Sequence, residues 1–130
     1  MSEIKDQLLY SAEHEWVERI SDDTVRIGIT DFAQHQLGDI VFVELPQAGA
    51  EVASEAVIGT IESVKTVSDL FSPVTGTITN FNPELETEPE LVNSDPYGRG
   101  WMVEVKVSGD LDTALSSLLS AEAYAEHAQD

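Results

Sequence analysis

Three features of this sequence offer side chains suited to chemistry: Lys65 inside an apolar stretch, the run Glu13-His14-Glu15, and the acids Glu62 and Asp69. Lys65 is one of only three lysines; Lys5 lies in a polar N-terminal segment and Lys106 near the end of a later strand. Apolar residues occupy 57, 58, 61 and 64 before Lys65, and 67, 70, 71, 74 and 78 after it. Val, Ile and Thr dominate both arms, and such β-branched residues favour strands. Gly59 on one side, and Pro73 and Gly76 on the other, bend or end strands. The pattern predicts a β-hairpin with Lys65 at or next to its tip. No Asn-Gly or Asp-Gly pair fixes the turn register. An ammonium held out on a long flexible stem is accessible to a modifying enzyme. The plainer reading is a lysine that solvates a turn, since exposed lysines are common.

Glu62 and Asp69 stand three residues before and four after Lys65, so in a regular hairpin both frame its tip. Solvation and cross-strand pairing account for them without further function. His14, His35 and His127 lack metal-ligand spacing, and no metal site is expected. Adjacent strand residues point to opposite faces, so His14 is not expected to converge with Glu13 or Glu15. A structural or surface role is expected for all three histidines. No nucleophile elbow, P-loop or dinucleotide fingerprint is present. No pair of carboxylates is placed in an apolar pocket by sequence, so no catalytic acids are assigned. Trp16 and Trp101 read as core anchors.

The elements that must position these residues are mostly strands. Residues 16–20 and 24–29 alternate around the turn cluster Ser21-Asp22-Asp23, which predicts two paired strands. Thr30 can cap a short helix over 31–37, and Gly38 can end it. Residues 39–45 read as a strand stopped by Pro46, and 75–81 and 101–107 as further strands. Residues 82–100 hold three prolines and two glycines and read as loop, with one helical turn near 88–92. The N-terminal segment before Tyr10 reads as poorly ordered. Leu111, Leu115, Leu118 and Leu119 follow helical spacing and predict one apolar stripe on the parent sheet, started by Asp110. Ser120 can cap a second helix through Tyr124. Short strands with frequent turns point to a mainly β class.

Length and charge narrow the function. With 130 residues, one domain spanning 1–130 is expected, large enough to bury a core. The net charge is −19, from 25 acidic and 6 basic residues. Twelve acids fall in residues 1–60 and thirteen in 61–130, which makes an even coat rather than an acidic tail. Such a surface argues against binding nucleic acid or an anionic membrane. There is no cysteine, so any sulfur redox chemistry must arrive on an attached group. Met-Ser-Glu-Ile-Lys-Asp is neither a signal nor a transit sequence, and a cytoplasmic monomer is expected.

The residues themselves then narrow the choice. Glu62-Ser63-Val64-Lys65, Ser68-Asp69 and Ser72-Pro73-Val74-Thr75-Gly76 resemble the lipoyl-lysine segment of the glycine cleavage system H-protein family. The resemblance extends to His14-Glu15-Trp16-Val17, Gly28-Ile29-Thr30, Ala33-Gln34 and the run from Leu37 to Pro46. It resumes at Leu91-Val92-Asn93, Pro96-Tyr97-Gly98 and Gly100-Trp101, and so covers about Tyr10 to Tyr124. It departs at Thr66, where the family often has alanine, and at Leu70-Phe71, in place of a common pairing ending in tyrosine; Thr66 is small and β-compatible, and Leu70-Phe71 keeps the bulk.

The resemblance implies a barrel-sandwich hybrid fold, also called a hammerhead, and a carrier rather than an enzyme. Lipoate would be joined to Lys65 by an amide. Implied partners are a pyridoxal-phosphate glycine decarboxylase, an aminomethyltransferase using tetrahydrofolate, a dihydrolipoyl dehydrogenase, and the lipoylating enzymes. Glu62 and Asp69 become candidates for recognition by the lipoylating enzyme. Glu15, and less directly Asp69, become candidates for holding the aminomethyl arm. Alternatives are a lipoyl domain or lipoate-relay donor serving a 2-oxoacid dehydrogenase, a biotin carrier domain, or an unmodified acidic binding module. The biotin reading expects methionines beside the lysine, where this chain has Val64 and Thr66.

Overall fold

The computed structural model describes residues 2–128. β1 (Leu9–Tyr10), β2 (Glu15–Arg19) and β3 (Thr24–Ile29) lead into helix α1 (Asp31–Leu37). β4 (Ile40–Glu44), β5 (Glu51–Val52), β6 (Val57–Ser63), β7 (Val67–Phe71) and β8 (Gly76–Phe81) follow. Short helices α2 (Glu84–Thr87) and α3 (Leu91–Ser94) precede β9 (Val103–Val107), and α4 (Leu111–Leu115) and α5 (Ala121–His127) close the order. Six strands form one sheet in the order β1-β2-β3-β9-β8-β5, and three form another, β4-β6-β7. All pairings are antiparallel.

Alternation along the strands builds the main core between these sheets. Val17, Val25, Ile27, Ile29, Val103 and Val105 from the larger sheet meet Ile40, Val43, Ile61 and Leu70 from the smaller. The opposite face of the larger sheet carries a second cluster of Leu8, Tyr10, Trp16, Tyr124 and Ala128. There α5 is clamped by Tyr124, whose ring stacks on Tyr10 at 4.5 Å. Trp16 is only 1% exposed, and its indole N–H donates to the Pro96 carbonyl (2.9 Å). Opposite it across the ladder is Gly28. A Cβ on Gly28 would fall 2.7–2.8 Å from the indole, so the absent side chain makes room for the ring.

The caps follow the sequence: Thr30, Asp110 and Ser120 each accept a backbone N–H at the start of α1, α4 and α5. Other expectations are corrected. The segment before Tyr10 is tied down, because the Glu3 amide donates to Asp31 Oδ2 (2.7 Å) and the Lys5 amide to the Tyr10 hydroxyl (2.8 Å). Residues 82–100 hold two helical turns, at 84–87 and 91–94, rather than one near 88–92. β9 starts at Val103, so Trp101 precedes it and is half-buried. Trp101 packs against the edge of the second cluster, and the Arg26 guanidinium lies over its ring, 4.7 Å from the centroid. The Leu111 to Leu119 stripe is not one helix. α4 ends at Leu115, and Leu119 joins Tyr10 through a β-bridge. Leu119 thereby satisfies backbone groups of the short edge strand β1 that a continuous helix would leave open.

Candidate functional site

The lysine hairpin is β6 and β7, and Lys65 is at its tip. Glu62 pairs with Val67, and the Ser63 amide donates to the Thr66 carbonyl (2.8 Å), closing a turn with Val64 and Lys65 at its centre. Ser63 fixes that turn without an Asn-Gly signal: its Oγ accepts from the Lys65 and Thr66 amides (3.3 and 3.1 Å). This is how a register left open by turn propensity is set, by a serine side chain replacing backbone partners.

Lys65 is electrostatically distinct. Lys5, Arg19, Arg26, Arg99 and Lys106 each sit in an ion pair; among the described residues Lys65 alone of the six basic side chains does not. Its stem passes over Gly38 at the end of α1. A Cβ on Gly38 would lie 3.3 Å from Lys65 Cε and 3.9 Å from Nζ. Gly38 has φ of +84°, so glycine serves both the backbone and the passage of the stem. Asn93 holds this saddle in place: its Nδ2 donates to the Gly38 carbonyl and to Gln34 Oε1, both at 2.9 Å, and its Oδ1 accepts from the Ile40 amide. Sequence reasoning gives Asn93 no role; its place in the motif Leu91-Val92-Asn93 is the one signal that points to it.

Beside the hairpin lies a cavity of about 320 Å³. One wall is α1, through Phe32, Ala33 and Leu37; others are His14 and Glu15, Ile61, and Ser68 and Asp69 on β7. The sequence-derived candidates Glu15 and Asp69 therefore border one cavity, Glu15 buried and Asp69 exposed on the edge strand β7, where it shares the outer face with Val67 but reaches the cavity rim. Glu62 does not; it lies on the outer face of the small sheet, between Phe42 and Val67. The expectation that His14 and Glu15 diverge is corrected. His14 precedes β2 and has φ of +72°, so strand alternation does not govern it, and both line the cavity. His14 Nδ1 lies 2.8 Å from the Tyr124 hydroxyl, and its ring stacks on His127 with centroids 5.4 Å apart. Burial, then the His127 neighbour, lowers its pKa. His35 is elsewhere, at the end of α1.

Glu15 is 2% exposed, far from the solvated glutamate that composition alone suggests. Ser11 Oγ donates to Oε1 (2.5 Å), and the Phe71 amide also donates to the carboxyl. Burial outweighs these bonds and pushes its pKa from the ordinary 4.5 up to about 7. The folded protein therefore binds more protons than the unfolded chain between those values. The stability this confers is full below about pH 4.5 and is lost as pH rises through about 7. A shift of this size corresponds to about 3 kcal/mol. Glu15→Gln, which cannot ionise, should show a smaller loss of denaturation midpoint between pH 5 and 8 than wild type. Parallel losses would place the carboxyl in contact with water.

Among the described residues, no cluster of His, Cys, Asp or Glu fits a metal ion, and no helix is long and apolar enough to cross a membrane. The family model for the glycine cleavage H-protein matches residues 8–130. The glycine cleavage system H protein of Mycolicibacterium smegmatis is 59% identical over 125 residues, 95% of each chain. That of Mycobacterium avium (strain 104) is 57% identical over 126 residues, 95% of this chain and 96% of the other. The crystal structure of a glycine cleavage system H protein from Mycobacterium marinum superposes with a TM-score of 0.84 at 38% identity, covering 95% of this chain and 97% of that one. The sandwich of two β-sheets, the lysine turn and matches spanning nearly the whole chain establish that this protein belongs to the glycine cleavage H-protein family.

Proposed function

We propose that this protein is the lipoyl carrier of the glycine cleavage system, with lipoate in amide linkage to Lys65. The observation that carries the reading is the state of Lys65: exposed at a hairpin tip, free of ion pairing among the described residues, and lying over Gly38 beside a cavity. Amide formation removes the ammonium charge, and no folded-state ion pair among the described residues is lost with it. When bound, the lipoyl group supplies a reducible dithiolane whose sulfur carries the aminomethyl unit. The residues of this chain carry, shelter and present that group; they do not catalyse its turnover.

The partners on this reading are the pyridoxal-phosphate glycine decarboxylase, the aminomethyltransferase, dihydrolipoyl dehydrogenase and the lipoylating enzymes. Glu62 and Asp69, on either side of the tip, serve recognition by the lipoylating enzyme. Glu15 and Asp69 hold the arm in the cavity by pairing with its cationic amine. Ser11 and the Phe71 amide orient the Glu15 carboxylate for that pairing, and the walls from α1 exclude water. A cation beside Glu15 favours its ionised form, so arm docking should strengthen as pH rises through about 7.

The test is the lifetime of isolated protein loaded with the aminomethyl group. Glu15→Ala should hasten release of ammonia and formaldehyde while lipoylation proceeds as in wild type. An unchanged decay rate in the folded, fully lipoylated variant removes Glu15 from the arm site.

A further inference from the structure

Large apolar side chains are exposed at six positions among the described residues, and four of them, Val41, Phe42, Val64 and Val67, lie on the lysine hairpin or on the strand paired with it. The backbone arranges this. Ile40 pairs with Ser63 and Phe42 with Glu62, so Val41 is an extra residue in β4. Such a bulge breaks strict alternation. Val41 and Phe42 are accordingly both about half exposed (52% and 48%), while Ile40 and Val43 on either side are buried. Phe42, Glu62 and Val67 pair in one row across β4, β6 and β7. Directly paired residues share a face, here the outer face of the small sheet. Val64, next to Lys65, is 69% exposed, and its amide donates to the Asp39 carbonyl (3.0 Å), which brings the start of β4 alongside the tip. Acids rim the row: Glu44 and Asp69 occupy the next rung on the same face, and Asp39 lies by the tip. None of these three, nor Glu62, is in an ion pair among the described residues.

We infer that the row Val41, Phe42, Val64 and Val67 is the docking surface for the enzyme that acylates Lys65, and that its partner face is apolar with a lysine- and arginine-rich rim. The inference rests on the carrier reading and adds where one partner binds. Exposed apolar patches rimmed by polar groups mark interaction sites. Geometry selects the occupant. Enzymes that use the finished arm act on its far sulfur, an arm's length from Nζ, and their chemistry does not require the tip to be covered. The acylating enzyme must bring its reacting carbonyl to Nζ itself, so its surface closes over the tip and covers Val64 and the adjoining rows. There the neutral Nζ attacks the carbonyl carbon of an activated lipoyl carboxyl. The activating group leaves with the electron pair, and the nitrogen loses a proton as the amide forms. The unpaired acids attract a basic rim and fix its register.

The test uses the whole unlipoylated protein with a lipoate–protein ligase, lipoate and ATP. Phe42→Thr with Val67→Thr keeps β-compatible residues on the sheet. It should raise KM about tenfold, the loss expected on removing interface anchors, and leave kcat nearly unchanged. Ile20→Thr with Val57→Thr, exposed apolar residues away from the tip, should change neither. Titrating the ligase with unmodifiable Lys65→Arg protein should show the same loss of binding for the first pair. Should that pair unfold the chain, Val67→Thr alone carries the test. Unchanged KM and binding in a folded variant overturn the inference. So does normal ligation with weakened glycine cleavage by the fully lipoylated variant, which assigns the row to a later enzyme. A wild-type dimer dissolved by the substitutions assigns it to a second copy and overturns it too. Failure of wild type to accept lipoate at Lys65 would instead overturn the carrier reading.

Discussion

Lys65→Arg should abolish support of glycine cleavage while leaving the fold intact. Arginine keeps the positive charge and a long stem, yet its guanidinium stays protonated and does not form the stable lipoyl amide. Lys65 is exposed and makes no ion pair among the described residues, so little folded-state interaction depends on it. The variant's denaturation midpoint should therefore stay near wild type. In a reconstituted system with the decarboxylase, aminomethyltransferase and dehydrogenase, glycine-dependent NADH formation should fall to the level seen without this protein. Activity retained in the folded variant would mean that Lys65 does not bear the group.

Trp16→Ala should be the most destabilising single truncation of an aromatic residue in the chain. Trp16 is almost wholly buried in the second cluster and donates to Pro96. Removing a buried tryptophan costs about 3–5 kcal/mol, from lost burial and the cavity left behind. Its rigid place over Gly28 makes collapse of that space difficult. Trp101→Ala should cost less, about 1–2 kcal/mol, because Trp101 is only half-buried, packed against the edge of the second cluster with Arg26 over its ring. Arg26 also keeps its ion pair with Glu104. Urea denaturation of both variants decides this: equal midpoints would show that the two tryptophans are equivalent anchors.

What could be read from the sequence follows the range of the interaction involved. The strands β2 and β3 follow local alternation, and the caps Thr30, Asp110 and Ser120 follow local donor satisfaction, so both were legible; β4 and β8 were legible as strands, but their register shifts beside Val41 and Thr79 were not. The hairpin was legible too, from β-branched arms bounded by glycine and proline. The tail was not, because the bridge between Leu119 and Tyr10 joins residues distant in sequence and interrupts a helical spacing that is otherwise sound. His14 departs from strand alternation for a related reason: its positive φ belongs to the turn before β2, where alternation does not apply. The acidic residues divide in the same way. Glu15 opens β2 on the same face as the buried Val17, but its burial also needs Ser11 and β7, which are brought to it only by the fold. Asn93 braces Gly38 across more than fifty residues, a contact that only the folded chain reveals.

The central claim is that one lysine, placed by one turn, bears the lipoyl group. Peptide mapping by mass spectrometry of the wild-type protein, expressed with lipoate supplied, tests it most directly. The account predicts a single lipoyl adduct on the peptide containing Lys65, none on those containing Lys5 or Lys106, and none anywhere in Lys65→Arg. An adduct chiefly on another lysine, or an intact mass that stays unmodified in the presence of lipoate and an active lipoylating enzyme, would contradict it.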